Sequence, residues 1–365
     1  MGMVAPILPF LKNQTRITSL LNLLMLASFK SDNKFTIFLP VRNGRNYISS
    51  CIESILSQEY ENFDLVILEN KSTDDTLSIV RSYDDPRIKV IEASSTLGMY
   101  ENWRRVYELI QSGKVSSEFS TIIGHDDILY PSFLKGIVEL ITTYPDASLY
   151  QTHFDLIDAA GNLKRPCKPI PAREYAKDFL LARCWGNRDS FGTGYVFRTT
   201  DYEKIGGIPD LPSLLWSDDL MIVRLTTLSY KVCGGGARFA YRLHSDSVSG
   251  SLSKTRFTAM VNALNKYQKE IEKHHQDLLV DDYDKVAFGF FLARQMEEVN
   301  LPLRSMLFDT ETISIIKRLN ESAHFYLKEN TVNKISELPS RWLFGQLRTS
   351  LRRWKRALKL LGADY

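Results

Sequence analysis

Two adjacent carboxylates, Asp126 and Asp127, close the apolar run Phe119-Ser-Thr-Ile-Ile-Gly-His. Ile122 and Ile123 have the character of a buried strand end, and acids at the C-terminal end of such a strand sit in the mouth of a sheet, where open α/β folds bind ligands. Like charges side by side repel, and an unpaired buried charge is costly. A divalent cation removes the conflict, because hard cations take oxygen ligands. The same pair also reads as a solvated turn before the helix that Pro131 opens, and these residues alone leave both readings open. A second acid pair, Asp218 and Asp219, precedes Leu220, Leu225 and Leu228 at helical spacing. By itself it reads as the N-terminal cap of a helix.

The elements that must position these acids show in the first third of the chain. Phe35-Thr-Ile-Phe-Leu-Pro40-Val-Arg-Asn43-Gly44 is a β-branched and aromatic run ended by turn residues. Tyr47, Ile48, Cys51, Ile52, Ile55 and Leu56 follow at helical spacing. The run Leu65–Leu68 stops at Glu69, and Ser72 or Thr73 is expected to cap the next helix, with Asp74 and Asp75 near its positive end. Arg87-Ile-Lys-Val-Ile91 is another short strand. Strands alternating with helices predict a mostly parallel sheet with right-handed crossovers. Its strand ends near Pro40, Glu69 and Asp126 would face one crevice.

This order resembles the family-2 glycosyltransferases, which have the nucleotide-sugar-binding fold called GT-A. Pro40-Val-Arg42-Asn43 resembles the family's Pro-x-x-Asn element, and Ser54-Ile-Leu-Ser-Gln58-Glu-Tyr60 its following helix end. Glu69-Asn-Lys-Ser72-Thr73-Asp74-Asp75-Thr76 corresponds to its acid-rich turn, and Gly124-His125-Asp126-Asp127 to its Asp-x-Asp region. Trp216-Ser217-Asp218-Asp219, ahead of Arg224-Leu225, resembles the segment carrying the catalytic base. Tyr241-Arg242-Leu-His244-Ser-Asp-Ser247-Val-Ser249 resembles the closing Arg-x-His-x-x-x-x-Ser stretch. The resemblance covers about residues 34–250. It departs from the family pattern where Glu69 replaces Asp, Asn70-Lys71 replace Asp-Gly, and Gly124 takes the first acid position of Asp-x-Asp.

The resemblance implies an inverting transfer of a sugar from a nucleotide-sugar donor to a hydroxyl. Asp218 would take the acceptor proton as base, with Asp219 the competing choice. Mn²⁺ or Mg²⁺ held by Asp126, Asp127 and His244 would neutralise the diphosphate leaving group. His244 also reads as a hydrogen-bonding histidine at a loop edge. Pro40, Arg42, Asn43, Glu69, Asn102, Arg104, Asp126 and Arg242 fall on the donor side, Glu69 toward the nucleobase and Arg242 toward the phosphates. Glu69 alone reads as a solvated strand-end acid, and Arg104 as part of an exposed helix face.

Length and composition agree with an α/β enzyme core and an appendage. The chain has 365 residues, 44% of them hydrophobic, with a net charge of +3 that does not point to nucleic acid. Its cysteines, at 51, 167, 184 and 233, have no paired spacing and read as buried reduced thiols rather than a disulfide or zinc framework. Gly192-Thr193-Gly194 and Gly234-Gly235-Gly236 match no phosphate loop and suit tight turns near the acceptor. The expected layout is an N-terminal helical segment over 1–33, a GT-A catalytic domain over 34–250, a helical extension over 251–340 and a basic amphipathic helix over 341–365.

That last helix sets the expected location. Leu343, Leu347, Leu351, Trp354, Leu358 and Leu361 form one stripe, and Arg341, Arg348, Arg352, Arg353, Lys355, Arg356 and Lys359 fill most of the remainder. Basic amphipathic helices of this kind lie in the membrane interface, although packing on the domain or a partner is the alternative. The Leu-rich run 17–29 is too short to span a bilayer. The expectation is a cytoplasmic protein, peripheral on the inner face of the membrane, acting on a glycan or lipid-linked glycan in bacterial surface-polysaccharide assembly. A homo-oligomer is compatible with the chain. The other hypothesis is a nucleotide-sugar-binding or scaffold protein of the same fold without turnover. A processive synthase is disfavoured by the lack of a transmembrane run.

Overall fold

The computed structural model describes residues 33–244, 253–300 and 309–327. The expected N-terminal run 17–29 and the basic helix 341–361 lie outside them. The order begins β1 (Phe35–Val41), α1 (Ile48–Leu56), β2 (Phe63–Glu69), α2 (Thr76–Arg81), β3 (Ile88–Glu92), α3 (Met99–Gln111) and β4 (Phe119–Ile122). It continues with β5 (Ile128–Leu129), α4 (Phe133–Thr143), β6 (Leu149–Ile157), β7 (Leu163–Pro166), β8 (Arg173–Glu174) and α5 (Ala176–Cys184). Next come β9 (Tyr195–Arg198), α6 (Thr199–Lys204), α7 (Ser217–Leu228) and β10 (Lys231–Arg242). The helices α8 (Lys254–His274), α9 (Asp282–Asn300) and α10 (Thr310–Tyr326) complete it.

The strands join in the order β3-β2-β1-β4-β9-β6-β10-β5, with β7 on β6 and β8 on β10. β1 pairs in parallel with β2 and β4, and β2 with β3, as the alternation of strands and helices predicts. β9 enters antiparallel between β4 and β6. The sheet is therefore mixed, with a parallel block β3-β2-β1-β4, a parallel β6–β10 pair and the antiparallel β9 between them. Every residue of β1 is buried, as expected for a strand covered on both faces. Ile37, Leu39, Leu65 and Ile67 pack with Ile52 of α1 and Phe133 of α4 on one face. Phe38, Val66 and Leu68 alternate to the other face, where α3, α5, α7 and the C-terminal helices gather. Leu220, Met221, Ile222, Val223 and Leu225 are all buried, so α7 is an interior helix. Phe257, Tyr267, Phe288 and Ile316 join the same core.

Strand β10 carries the Gly234–Gly236 run inside it, not at a loop. The pairing with β6 slips between Gly234 and Ala237, and Gly236 has a φ of 81°. A bulge bends the strand there before it delivers Arg242 and His244. A buried ion cluster anchors the segment before β9. Lys231 Nζ lies 2.6 Å from Glu174, and Arg188 Nη2 lies 2.5 Å from the same carboxylate.

Candidate active site

Three βα connections meet at the C-terminal ends of β1 and β2. Asn43 N–H donates to Ser72 Oγ at 2.9 Å, and Asn43 Oδ1 accepts from Thr73 N–H at 2.8 Å. Gly44 N–H donates to Thr76 Oγ1 at 2.8 Å. Asn70 exchanges hydrogen bonds with the backbone of Leu97, at 2.8 and 3.0 Å. Asn43 and Lys71 take left-handed φ values of 53° and 51° to allow these turns. The expected cap of α2 by Ser72 or Thr73 does not form. Ser72 is turned toward Asn43, and Asp74 Oδ1 instead accepts from Thr76 N–H at 3.0 Å.

Within this frame Glu69 is not a solvated acid. It is fully buried, and its two oxygens accept from Lys71 N–H at 3.0 Å and Ser72 N–H at 2.6 Å. Its carboxylate shapes its own turn. Arg105 backs the turn by donating to Glu69 O at 3.1 Å, Ile91 O at 2.6 Å and Asn102 Oδ1 at 2.9 Å. Asn102 is thereby buried, whereas Arg42 is exposed and Arg104 half-buried with its Nη1 on Tyr100 Oη at 3.1 Å.

The first acid pair lies where β4 ends. Asp127 is buried and accepts from Arg242 N–H at 2.9 Å. Burial pushes its carboxyl well above the usual range, and repulsion from Asp126 adds to the rise. The same two acids, after burial itself, push up the Cys51 thiol. Asp126 Oδ2 lies 2.8 Å from His244 Nε2. A Cβ on Gly124 would sit 2.8 Å from Asp126 Oδ1 and 2.9 Å from Asp127 Oδ2. The two carboxylates thus converge over Gly124, and a side chain at that position would have to displace them. Among the described residues no three His, Cys, Asp or Glu side chains form a ready-made metal cluster. The donor set still fits a divalent cation: two converging carboxylates with unrelieved repulsion, and an imidazole on one of them.

Arg242 holds this corner. Its guanidinium donates to the backbone carbonyls of Asp126 at 2.7 Å and Ala159 at 3.1 Å, and sits 4.8 Å over the Tyr47 ring. The other side of the arrangement is a 4.9 Å ring contact between Tyr47 and His244. Arg242 was expected toward the phosphates, but its Nε donates to the carbonyl of Asp126 and its Nη1 to the carbonyls of Asp158 and Ala159 after β6.

The second acid pair opens α7. Asp218 and Asp219 occupy its first turn, so neither is the cap. That position belongs to Trp216, which has a left-handed φ of 60°. Ser213 and Leu214 also have positive φ, so strain concentrates just before the acids. Asp219 is fully buried and bound by Arg183 of α5, with Nε 2.9 Å from each oxygen and Nη2 2.8 Å from Oδ2. Asp218 is partly exposed. Desolvation pushes its carboxyl up to about 7, Asp219 adds repulsion, and Arg183 pulls the other way.

One loop joins the two pairs. Thr193 Oγ1 accepts from Gly124 N–H at 3.3 Å and also hydrogen-bonds Asp127. The adjacent Gly192 would place a Cβ 4.0 Å from Asp218 Cβ and 3.4 Å from the Trp103 ring. Arg183 and Arg105 escaped the sequence reading, and Tyr47 and Thr193 showed there only as a helix position and a turn residue. None stands in a motif, and each meets a partner from a distant part of the chain.

Residues 36–206 match the family model Glycosyl transferase family 2. Glycosyltransferase GlyA of Streptococcus pneumoniae serotype 4 is 28% identical over 334 residues, covering 84% of this chain and 42% of that protein. An uncharacterized glycosyltransferase of Rickettsia conorii is 27% identical over 137 residues, covering 37% of this chain and 22% of that protein. The chain thus spans less than half the length of these curated relatives. The crystal structure of S. aureus TarS 1-349 in complex with UDP-GlcNAc has a TM-score of 0.61 at 15% identity, covering 91% of this chain and 93% of that one. That likeness is one of fold. Residues 36–206 therefore match the family-2 glycosyltransferase model, on a fold like that of the TarS structure and followed by a helical C-terminal region.

Proposed function

We propose that the chain is a metal-dependent inverting glycosyltransferase that moves a sugar from a nucleotide-sugar donor to an acceptor hydroxyl. The observation that supports this reading is the Gly192-Thr193 step, whose Gly192 lies against Asp218 and whose Thr193 hydrogen-bonds Gly124 N–H and Asp127. Asp126, Asp127 and His244 would hold Mn²⁺ or Mg²⁺. A cation there supplies charge neutralisation to the diphosphate leaving group. Pro40, Arg42, Asn43 and Arg104 border the donor crevice. Glu69 and Asn102 shape it from beneath, and Arg242 fixes the acid pair. Asp218 accepts the acceptor's proton as that oxygen bonds to C1 of the sugar. The C1–O bond to the diphosphate breaks with its electron pair leaving on the nucleoside diphosphate, and a single displacement inverts C1. A carboxyl titrating near 7 suits a base working at neutral pH.

Hydrolysis of a panel of nucleotide sugars by the full chain, with Mn²⁺ and with EDTA, tests the proposal. Turnover of at least one donor that stops in EDTA is expected. Full activity in EDTA removes the metal. Donor binding without any turnover of donor or acceptor turns the chain into a binding module.

The catalytic domain is proposed to span 34–250, with 251–340 as its helical support. A lipid-linked glycan acceptor is proposed from the basic Leu/Trp stripe at 341–361. Each basic residue near an anionic surface contributes about 1 kcal/mol. Liposome flotation of the full chain against a chain ending at Ser340 checks this. Equal flotation of the two assigns the stripe to protein packing. Among the described residues no helix is long and apolar enough to cross a membrane.

A further inference from the structure

We propose that Arg183 is a positioning residue that assigns the base role to Asp218, by binding both oxygens of Asp219 and leaving Asp218 as the carboxylate that faces the acceptor side. The inference rests on the function proposed above and names how its base is selected. Two adjacent aspartates open one helix, and only one can serve. Arg183 meets Asp219 through Nε, 2.9 Å from each oxygen, and through Nη2, 2.8 Å from Oδ2. Its remaining Nη1 donates to Arg188 O at 2.7 Å, tying the pair to the anchored segment before β9. Asp219 is fully buried, so it has no path to an acceptor hydroxyl. Asp218 sits at the Gly192–Trp103 wall and is partly open. It is turned toward the N–H groups of its own residue and of Asp219.

The titratable groups that interact with the pair are Arg183 and Cys184 of α5, Tyr195 of β9 and Tyr267 of α8, with Arg294 of α9 acting on Cys184 behind them. Burial alone would lower the Arg183 guanidinium, but Asp219 outweighs it and holds it charged. Burial likewise keeps both tyrosines and Cys184 neutral. Arg294 meets this cluster through the carbonyl of Arg183, to which its Nη2 donates at 3.2 Å.

The two single variants should therefore move Asp218 in opposite directions. Arg183→Gln leaves two neighbouring acids without their bound cation, and their upper titration step rises. Asp219→Asn leaves Arg183 with Asp218 as its nearest acid, and Asp218 falls. Carboxyl ¹³C signals of the aspartate-labelled full chain read this directly, with Asp218 identified by its loss in Asp218→Asn. The expected result is an upward shift of about one pH unit or more in Arg183→Gln, and a downward shift of about one unit or more in Asp219→Asn. The double variant Arg183→Gln/Asp219→Asn should return close to wild type. The acid limb of the nucleotide-sugar hydrolysis profile should move in step, with KM for the donor unchanged. One midpoint shared by wild type and both single variants overturns the proposal. If Arg183→Gln does not fold, the Asp219→Asn arm decides alone, by a fall or by no change. Opposite shifts in a chain that turns over no donor keep the selection and sink the function beneath it.

Discussion

The two aspartate pairs share a local sequence and differ in what surrounds them. In each, one acid is buried and the other is partly exposed. Asp127 is held by the Arg242 N–H and by Thr193, whereas Asp219 is held by a guanidinium. Neutral donors satisfy a carboxylate's lone pairs but do not cancel its charge, so burial and Asp126 push Asp127 well up. A buried pair with Arg183 cancels the charge internally, and breaking such a pair typically costs about 3–5 kcal/mol. The first pair is thus built to be completed from outside and the second is already complete. Placement follows the same division. Strand ends and tight turns frame Asp126 and Asp127, while the interior helices α5, α7 and α8 enclose Asp219 and leave Asp218 partly open.

The largest effect should separate the members of the second pair. Asp218→Asn is expected to lower kcat by about 10²–10⁴-fold, the scale of a positioned base, with donor affinity nearly unchanged. Asp219→Asn should lower kcat less. If Asp219→Asn is the dead variant and Asp218→Asn is active, the base is the buried acid and the comparison inverts. The wild-type rate should fall as pH drops through about 7, because the base must be deprotonated. Stability runs the other way. The folded Asp218 carboxyl titrates at about 7 against 3.8 for its ordinary value. The folded state therefore holds the extra proton, and this contribution is lost as pH rises from about 4 through 7. Asp218→Asn should then gain melting temperature relative to wild type between pH 4 and 7, and hold the gain above. An equal gain at every pH would detach the effect from this titration.

The first pair should give a smaller loss that depends on added metal. Asp126→Asn or Asp127→Asn is expected to weaken Mn²⁺ binding by at least the roughly 10–100-fold typical of supporting contacts at metal sites. Calorimetric titration with Mn²⁺ checks it, and unchanged affinity in both variants would break the contrast between the pairs.

How much of this was legible follows from the range of each interaction. The strands Phe35–Val41 and Phe63–Glu69 and the helix between them show in local periodicity, and their parallel pairing follows from it. The acid pairs were visible as residues, and the resemblance over about residues 34–250 gave their order, while the family model matched at 36–206 reaches only the first pair. What surrounds them was not visible. Arg183 reaches Asp219 across 36 positions, and Arg242 reaches Asp127 across 115. No periodicity records such meetings. The expected caps failed for a similar reason. Ser72 found Asn43, 29 residues away, and the left-handed Trp216 displaced Asp218 from the cap position.

The smallest expected effects sharpen the comparison through its two glycines. A Cβ on Gly124 would meet Asp126 Oδ1 at 2.8 Å and Asp127 Oδ2 at 2.9 Å, closer than real side chains tolerate. Asp127 is buried and bound to Arg242 N–H, so it has little room to yield. Gly124→Ala should push the carboxylates apart, costing about 1–3 kcal/mol as overpacking does, and should weaken Mn²⁺ binding. A Cβ on Gly192 would meet only the Trp103 ring at 3.4 Å and Asp218 Cβ at 4.0 Å, which is ordinary contact. Gly192→Ala should therefore stay within about 0.5 kcal/mol in stability and roughly twofold in kcat. Thermal melts with and without Mn²⁺ compare the two. The metal should stabilise wild type and Gly192→Ala alike by mass action, and Gly124→Ala less. Equal stabilisation of all three would mean that the oxygens over Gly124 are not where the cation sits, and the first pair would lose its claim to be the one completed from outside.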